Sequence, residues 1–226
     1  MTDKYSQKCQ QLKTDRFAWM CQRCRMGTRD RIGDQKDERG DAQRRTIHAA
    51  AIAQFSAHGF AATSMADIAN AAGMSRPALY QYFRNKRDIF ASAFVAIFED
   101  HVDRALQALY SDGTTAQRLD GLLQRFEGDL WELMAASEHS EEIMSSKTAD
   151  TAEEIQLVIA RLRRGVAAFL AEAHPGRSQA AKDRRSEWAE ILEFSPKGFK
   201  FDTPSVADFR RRLTALARGV AADIDG

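Results

Sequence analysis

Residues 64–86 read Ser-Met-Ala-Asp-Ile-Ala-Asn-Ala-Ala-Gly-Met-Ser-Arg-Pro-Ala-Leu-Tyr-Gln-Tyr-Phe-Arg-Asn-Lys. Ser64 is an N-cap with Asp67 three residues on, so a helix is expected from Met65, its inner face made by Ile68, Ala69 and Ala72. Gly73 supplies the left-handed residue that stops it. Ser75 caps a second helix, and Pro77 is tolerated there because a first-turn N–H has no intrahelical acceptor to lose. Leu79 and Phe83, at i and i+4, form the inward stripe of that helix. Two short helices joined by a tight glycine turn make a helix-turn-helix, whose second helix lies in a DNA major groove.

The arc opposite Leu79 and Phe83 carries Pro77, Ala78, Tyr80, Gln81 and Arg84. Gln and Arg bond base edges, while Ala, Pro and the Tyr ring offer apolar surface to a thymine methyl. Tyr82 on the flank and Lys86 at the next helix start bring a hydroxyl and an ammonium toward phosphate. Any small helical hairpin shows a similar pattern, with Tyr80 and Tyr82 closing a core, so the hairpin alone leaves both readings open.

Extending the stretch to Gly59 gives Gly-Phe-x-x-Thr-Ser-Met-x-x-Ile-Ala-x-x-Ala-Gly-Met-Ser-x-Pro-x-Leu-Tyr-x-Tyr-Phe-x-x-Lys. This pattern closely resembles the DNA-binding domain of TetR-family (tetracycline-repressor-like) transcriptional regulators, over about residues 44–92. The resemblance implies an all-α homodimer that binds a palindromic operator on double-stranded DNA and is usually a repressor released by a small-molecule effector. It implies base-reading roles for Arg76, Pro77, Ala78, Tyr80 and Gln81, and phosphate contacts for Ser64, Tyr82 and Lys86. Pro77-Ala78 departs from the Gly or Thr many relatives carry there, so an operator sequence does not transfer from them.

The charge distribution agrees with a DNA-facing end. Residues 1–43 carry ten Lys/Arg against seven Asp/Glu and residues 44–90 six against two, while residues 91–226 carry seventeen against twenty-three. The sequence has no apolar run long enough to span a membrane and no secretion signal, so a cytoplasmic protein is expected. Residues 1–40 are expected to be a poorly structured extension, 41–86 the DNA-binding domain, and 87–226 a helical ligand-binding and dimerisation domain. Within the extension, Cys21-x-x-Cys24 and Cys9 lack the second pair a structural zinc site needs, so no metal is expected. Arg23, Arg25, Arg29 and Arg31 would suit a basic arm toward DNA, and Met26 is an alternative start.

A first helix is expected from Ala42 to Ala57 with the stripe Ile47, Ala51 and Phe55, ended by Gly59 in a Schellman stop that packs Phe60 on Phe55. Asn85 caps a long helix over Lys86–Tyr110, a rigid link from the DNA-facing end into the second domain. Further helices are expected from Thr114 to Ala136, Thr151 to Ala173 and Ala180 to Phe194. Ser195-Pro196-Lys197-Gly198 reads as a turn, and Thr203-Pro204 as the start of a last helix to Ala222. The seam Val206, Phe209, Leu213, Leu216 and Val220 suits another helix, either in a dimer partner or within the subunit.

For an effector, Phe94, Phe98, His101, Phe126, Leu130, Trp131 and Met134 offer an aromatic lining with one polar group, though an ordinary core explains most of them. The sequence holds no Gly-x-Ser-x-Gly, phosphate-binding glycine loop or His-Glu-x-x-His, so neither catalysis nor a cofactor is expected. The competing readings are a transcriptional activator and a ligand-independent DNA-binding protein.

Overall fold

The computed structural model describes residues 35–145, 149–202 and 205–226, with side chains at 39–142, 151–202 and 205–226. The expectations for Cys9, Cys21, Cys24, the arginines before residue 35, Thr203 and Pro204 lie outside the described residues. Helices α1 (Gln35–His58), α2 (Met65–Ala71) and α3 (Arg76–Tyr80) precede the long α4 (Lys86–Leu109). Then come α5 (Thr115–Leu123), a π-helical turn (Gln124–Gly128), α6 (Asp129–Ala135), α7 (Ser140–Ser145), α8 (Ala149–Ala173), α9 (Gln179–Phe199) and α10 (Val206–Asp225). The described residues contain no strand, giving the all-α class expected.

The local signals of the hairpin act as read. Ser64 Oγ accepts from Asp67 N while Asp67 Oδ2 accepts from Ser64 N, closing a capping box. Gly73 adopts φ +68°, and the bonds Met74 N to Ala69 O and Gly73 N to Asn70 O complete a Schellman motif. Nothing would crowd a Cβ at Gly73, so Gly73→Ala isolates the backbone conformation. It should cost about 1–2 kcal/mol, read as a lowered urea midpoint at unchanged slope. The Schellman stop expected at Gly59 is instead the simpler left-handed cap: φ is +81° and Gly59 N donates to Phe55 O. Phe60 nevertheless packs on Phe55, with ring centroids 5.3 Å apart.

One core holds the head. Ile47, Ala51 and Phe55 of α1 meet Ile68 and Ala69 of α2, Leu79 of α3 and Phe83, together with Ile89, Phe90 and Phe94 of α4 and Ile155 of α8. A second core joins the other half of α4 (Val102, Ala105, Leu109) to α5, α8, α9 and α10. Helix α4 thus contributes its first turns to one core and its last turns to the other. A polar latch adds to this: Ala61 N donates to Glu142 Oε1 at 2.6 Å and Ser137 Oγ to Ser56 O at 3.2 Å, fixing the turn after α1 to the segment around α7.

The structure corrects further expectations and decides the one left open for the α10 seam. The helix from Thr114 is interrupted by the π-helical turn, beside which Gln124 bonds Asp120, Thr214 and the Arg210 carbonyl. Helix α9 runs through Ser195–Gly198 rather than turning there. Trp188, Leu192 and Pro196 form one buried stripe, and burying it outweighs the hydrogen bond that proline forgoes three residues before the helix ends. The seam on α10 is not free for a partner: Phe209, Leu213 and Val220 are buried inside the subunit, where α10 packs chiefly on α5. That helix begins two residues later than expected, capped by Ser205, whose Oγ accepts from Asp208 N.

Candidate nucleic-acid interface

Helix α3 is five residues long and is held by Leu79, fully buried, and by Phe83, 6% exposed. Anchoring on those residues turns Arg76, Pro77, Tyr80 and Gln81 outward, all exposed, with Ala78 half-buried between them. Ser75 Oγ accepts from Ala78 N and fixes the first turn. Arg76 reaches back along the helix, its Nη2 donating to Tyr80 Oη at 3.3 Å and its guanidinium lying 5.6 Å from the Tyr80 ring centre. The sequence-predicted base-reading residues therefore lie together on one exposed face.

The flanks carry positive charge. Arg44, Arg45, Arg84 and Arg87 are exposed around the hairpin. The Arg44 guanidinium lies over the Phe83 and Tyr82 rings, at 5.3 and 5.9 Å, which orients the head of α1 beside α3. Ser64 is exposed at the start of α2, with its hydroxyl bonded to Asp67. Those bonds from Ser64 hold the Asp67 carboxyl below its ordinary range. Tyr82 is half-buried on the flank.

Lys86 is placed differently from the expectation. Its Nζ donates to the carbonyls of Phe60 (2.7 Å), Ala61 (2.8 Å) and Thr63 (2.9 Å), and it lies 4.8 Å from the Phe60 ring centre. An ammonium has three N–H donors, and all three are taken. The residue ties the start of α4 to the turn between α1 and α2 instead of presenting its charge to a phosphate. No local sequence signal announces this, because the acceptors are backbone atoms more than twenty residues upstream.

The residues expected to line an effector site are divided among the packed clusters, Phe94 with the head, Leu130 against Ile52 and Ile97, and Phe126 and Trp131 against the second core. Phe94 packs on Phe98 at 5.4 Å and Phe98 on Phe126 at 6.4 Å, and Trp131 lies 5.5 Å from Phe209. His101 is 1% exposed and its Nδ1–H donates to Ile97 O at 2.7 Å. Burial lowers its pKa. The cavity that Phe94, Leu130 and Met134 share with their neighbours measures about 30 Å³. Drug-sized ligands occupy about 300–1,000 Å³, so the space is too small for one. Among the described residues there is no group of three or more His, Cys, Asp or Glu placed to hold a metal, and no helix is long and apolar enough to cross a membrane.

Residues 47–93 match the family described as bacterial regulatory proteins, tetR family. The HTH-type transcriptional activator FasR of Mycolicibacterium smegmatis is 33% identical over 90 residues, a match spanning 38% of this chain and 39% of that protein. Among solved structures, a TetR-family transcriptional regulator from Mesorhizobium loti superposes with a TM-score of 0.58 at 20% identity, covering 82% of this chain and 98% of its own. A TetR/AcrR-family regulator from Thermobifida fusca gives a TM-score of 0.58 at 18% identity, covering 78% and 96%. At these identities the structural likeness extends to the fold of both cores.

Proposed function

We propose that the chain, whose residues 47–93 match the family described as bacterial regulatory proteins, tetR family, is a homodimeric repressor of a palindromic operator, released by a small-molecule effector. The observation that carries this reading is the outward face of α3, where Arg76, Pro77, Ala78, Tyr80 and Gln81 present two donors and an apolar surface from a buried two-point mount. Ser64 and Tyr82 are proposed at its phosphate-facing flanks, with Lys86 a positioning residue behind them. Palindromes require a two-fold protein that sets two reading helices about 34–36 Å apart. With the α10 seam buried, α9 supports the partner face: Ile191 and Phe194 are 42% and 57% exposed there.

In this reading the amino-terminal helices form the DNA-binding domain and the remainder the effector and dimerisation domain. An effector bound to the carboxy-terminal helices would act on α3 through α4, the helix both cores share. Activation is the second reading, favoured by the function named for the mycobacterial relative. A reporter driven by the selected site decides between them: expression rises on deleting the gene for a repressor and falls for an activator.

The operator itself is found by selecting DNA from a random pool with the full chain at near-physiological salt. Enrichment of one palindrome supports the reading, while uniform recovery from a folded dimer overturns it. Gln81→Ala should then reduce the preference for that site over bulk DNA by about 1–3 kcal/mol, the worth of one bidentate base contact. Loss of affinity for all sequences alike would instead place Gln81 on the backbone.

A further inference from the structure

The turn between α1 and α2 is tied to two other elements. Its carbonyls at Phe60, Ala61 and Thr63 accept from Lys86 Nζ at the start of α4. Its Ala61 N–H goes instead to α7, donating to Glu142 Oε1 at 2.6 Å, a short bond in keeping with a carboxylate acceptor. Glu142 Oε2 lies 3.8 Å from His139 Nδ1. Gly59 provides the seat: a Cβ added there would run into Glu142 Oε2 and stand 3.2 Å from His139 Nδ1. Glycine at this position therefore supplies both the left-handed cap of α1 and the room in which the carboxylate lies.

An apolar contact accompanies the polar one. Leu130 and Leu133 of α6 pack against the cluster of Ile52 from α1 with Ala93 and Ile97 from α4. Between that contact and Glu142, Ser137 Oγ donates to Ser56 O and accepts from His139 N, each at 3.2 Å. The segment from α6 to α7 thus reaches the head directly, by a route other than the continuity of α4. What it holds bears on the outward face of α3. Helix α2 starts just beyond the turn, capped by Ser64, and α2 and α3 pack into one core, so a displacement of the turn carries both.

We infer that Glu142 is a positioning residue for DNA binding: its carboxylate, acting through the Ala61 N–H, fixes the α2–α3 hairpin at the angle at which α3 meets the groove. This role rests on α3 being the DNA-reading helix. A two-fold reader must present both copies of that helix at a set separation. A head free to rock would have to be ordered on binding, at a cost in affinity. Lys86 and Glu142 divide the task. Lys86 ties the turn to α4, which shares the core of the head, whereas Glu142 ties it to α7 and so to the rest of the subunit.

The test compares Glu142→Ala and Glu142→Gln in the full chain, with Asp225→Ala as the control, since it cuts a tie of the same kind, from Thr115 Oγ1 to Asp225 Oδ1, between α5 and α10. The Glu142 side chain is 38% exposed and Asp225 is exposed, so each variant folds as the parent does. Hydrogen exchange of the free protein comes first. Glu142→Ala should speed amide exchange by about tenfold throughout residues 59–83, not at Ala61 alone, and leave α9 and α10 as in the parent. Glutamine keeps an Oε1 acceptor for the Ala61 N–H, so Glu142→Gln should recover most of the protection. On the selected operator, Glu142→Ala should bind about tenfold more weakly, with Glu142→Gln between it and the parent and Asp225→Ala equal to the parent. A random pool that yields no operator counts against the repressor reading and leaves the exchange result to decide the role of Glu142. Faster exchange confined to Ala61, operator affinity in Glu142→Ala equal to or above that of the parent, or an equal loss in Asp225→Ala would each overturn the assignment.

Discussion

Replacing Phe90 with alanine is expected to lower the free energy of unfolding by about 3–5 kcal/mol and to abolish binding to the selected operator. Phe90 is 1% exposed, and its ring meets Phe55 edge-on at 5.8 Å, Phe60 edge-on at 5.3 Å and Phe94 stacked at 5.4 Å. Its position concentrates the effect. Phe55 and Phe60 belong to α1 and the turn after it, whereas Phe94 continues toward the second core, so the cavity opens where α4 holds the head. The surrounding rings have no spare side-chain length with which to refill it. Denaturant unfolding at fixed protein concentration reads the stability loss, and fluorescence anisotropy with labelled operator reads the binding. Phe90→Leu, which keeps most of the volume, should retain binding at a smaller cost. If Phe90→Ala bound DNA with parent affinity, the head would be ordered independently of α4.

The hairpin was legible in the sequence because its signals are short-range. A cap and its acceptor lie within three residues, and Ser64, Gly73, Ser75, Thr114 and Asn85 each act through neighbours that the sequence displays side by side. What lay beyond reading depends on distant partners. Pro196 looks like a helix breaker until Trp188 and Leu192 are seen to share its buried stripe. The heptad-like spacing of Phe209, Leu213 and Val220 states that the face is covered but not by which chain, and α5 of the same subunit covers it. The π-helical turn answers to the docking of Arg210 against Gln124, Asp129 and Glu132, residues about eighty positions apart. Likewise, the aromatic spacing along α4 and α6 could not distinguish a lining from a packed core, since both want the same residues; only the volume left between them decides.

The same distance argument gives the second large effect. Lys86→Met is expected to destabilise the chain by about 1.5–3 kcal/mol, the worth of hydrogen bonds to a charged group, while leaving the salt dependence of DNA binding unchanged. Methionine preserves the apolar stem beside Phe60 and removes only the ammonium, so the carbonyls of Phe60, Ala61 and Thr63 lose their shared donor. Partial exposure of that turn lets water replace some of the bonds, which is why the loss is not larger. A phosphate-contacting lysine behaves in the opposite way: its removal costs little stability and lowers the slope of log affinity against log salt by about 0.9. Measuring unfolding and the salt slope on the same variant therefore separates the two roles, with Arg84→Ala, an exposed cation on the hairpin flank, as the comparison for a surface charge. A reduced slope with unchanged stability would mean that the ammonium leaves its carbonyls when DNA arrives. An unchanged slope with a lowered midpoint makes Lys86 the clamp that sets the angle between α1 and α4, and so the pitch at which α3 meets the groove.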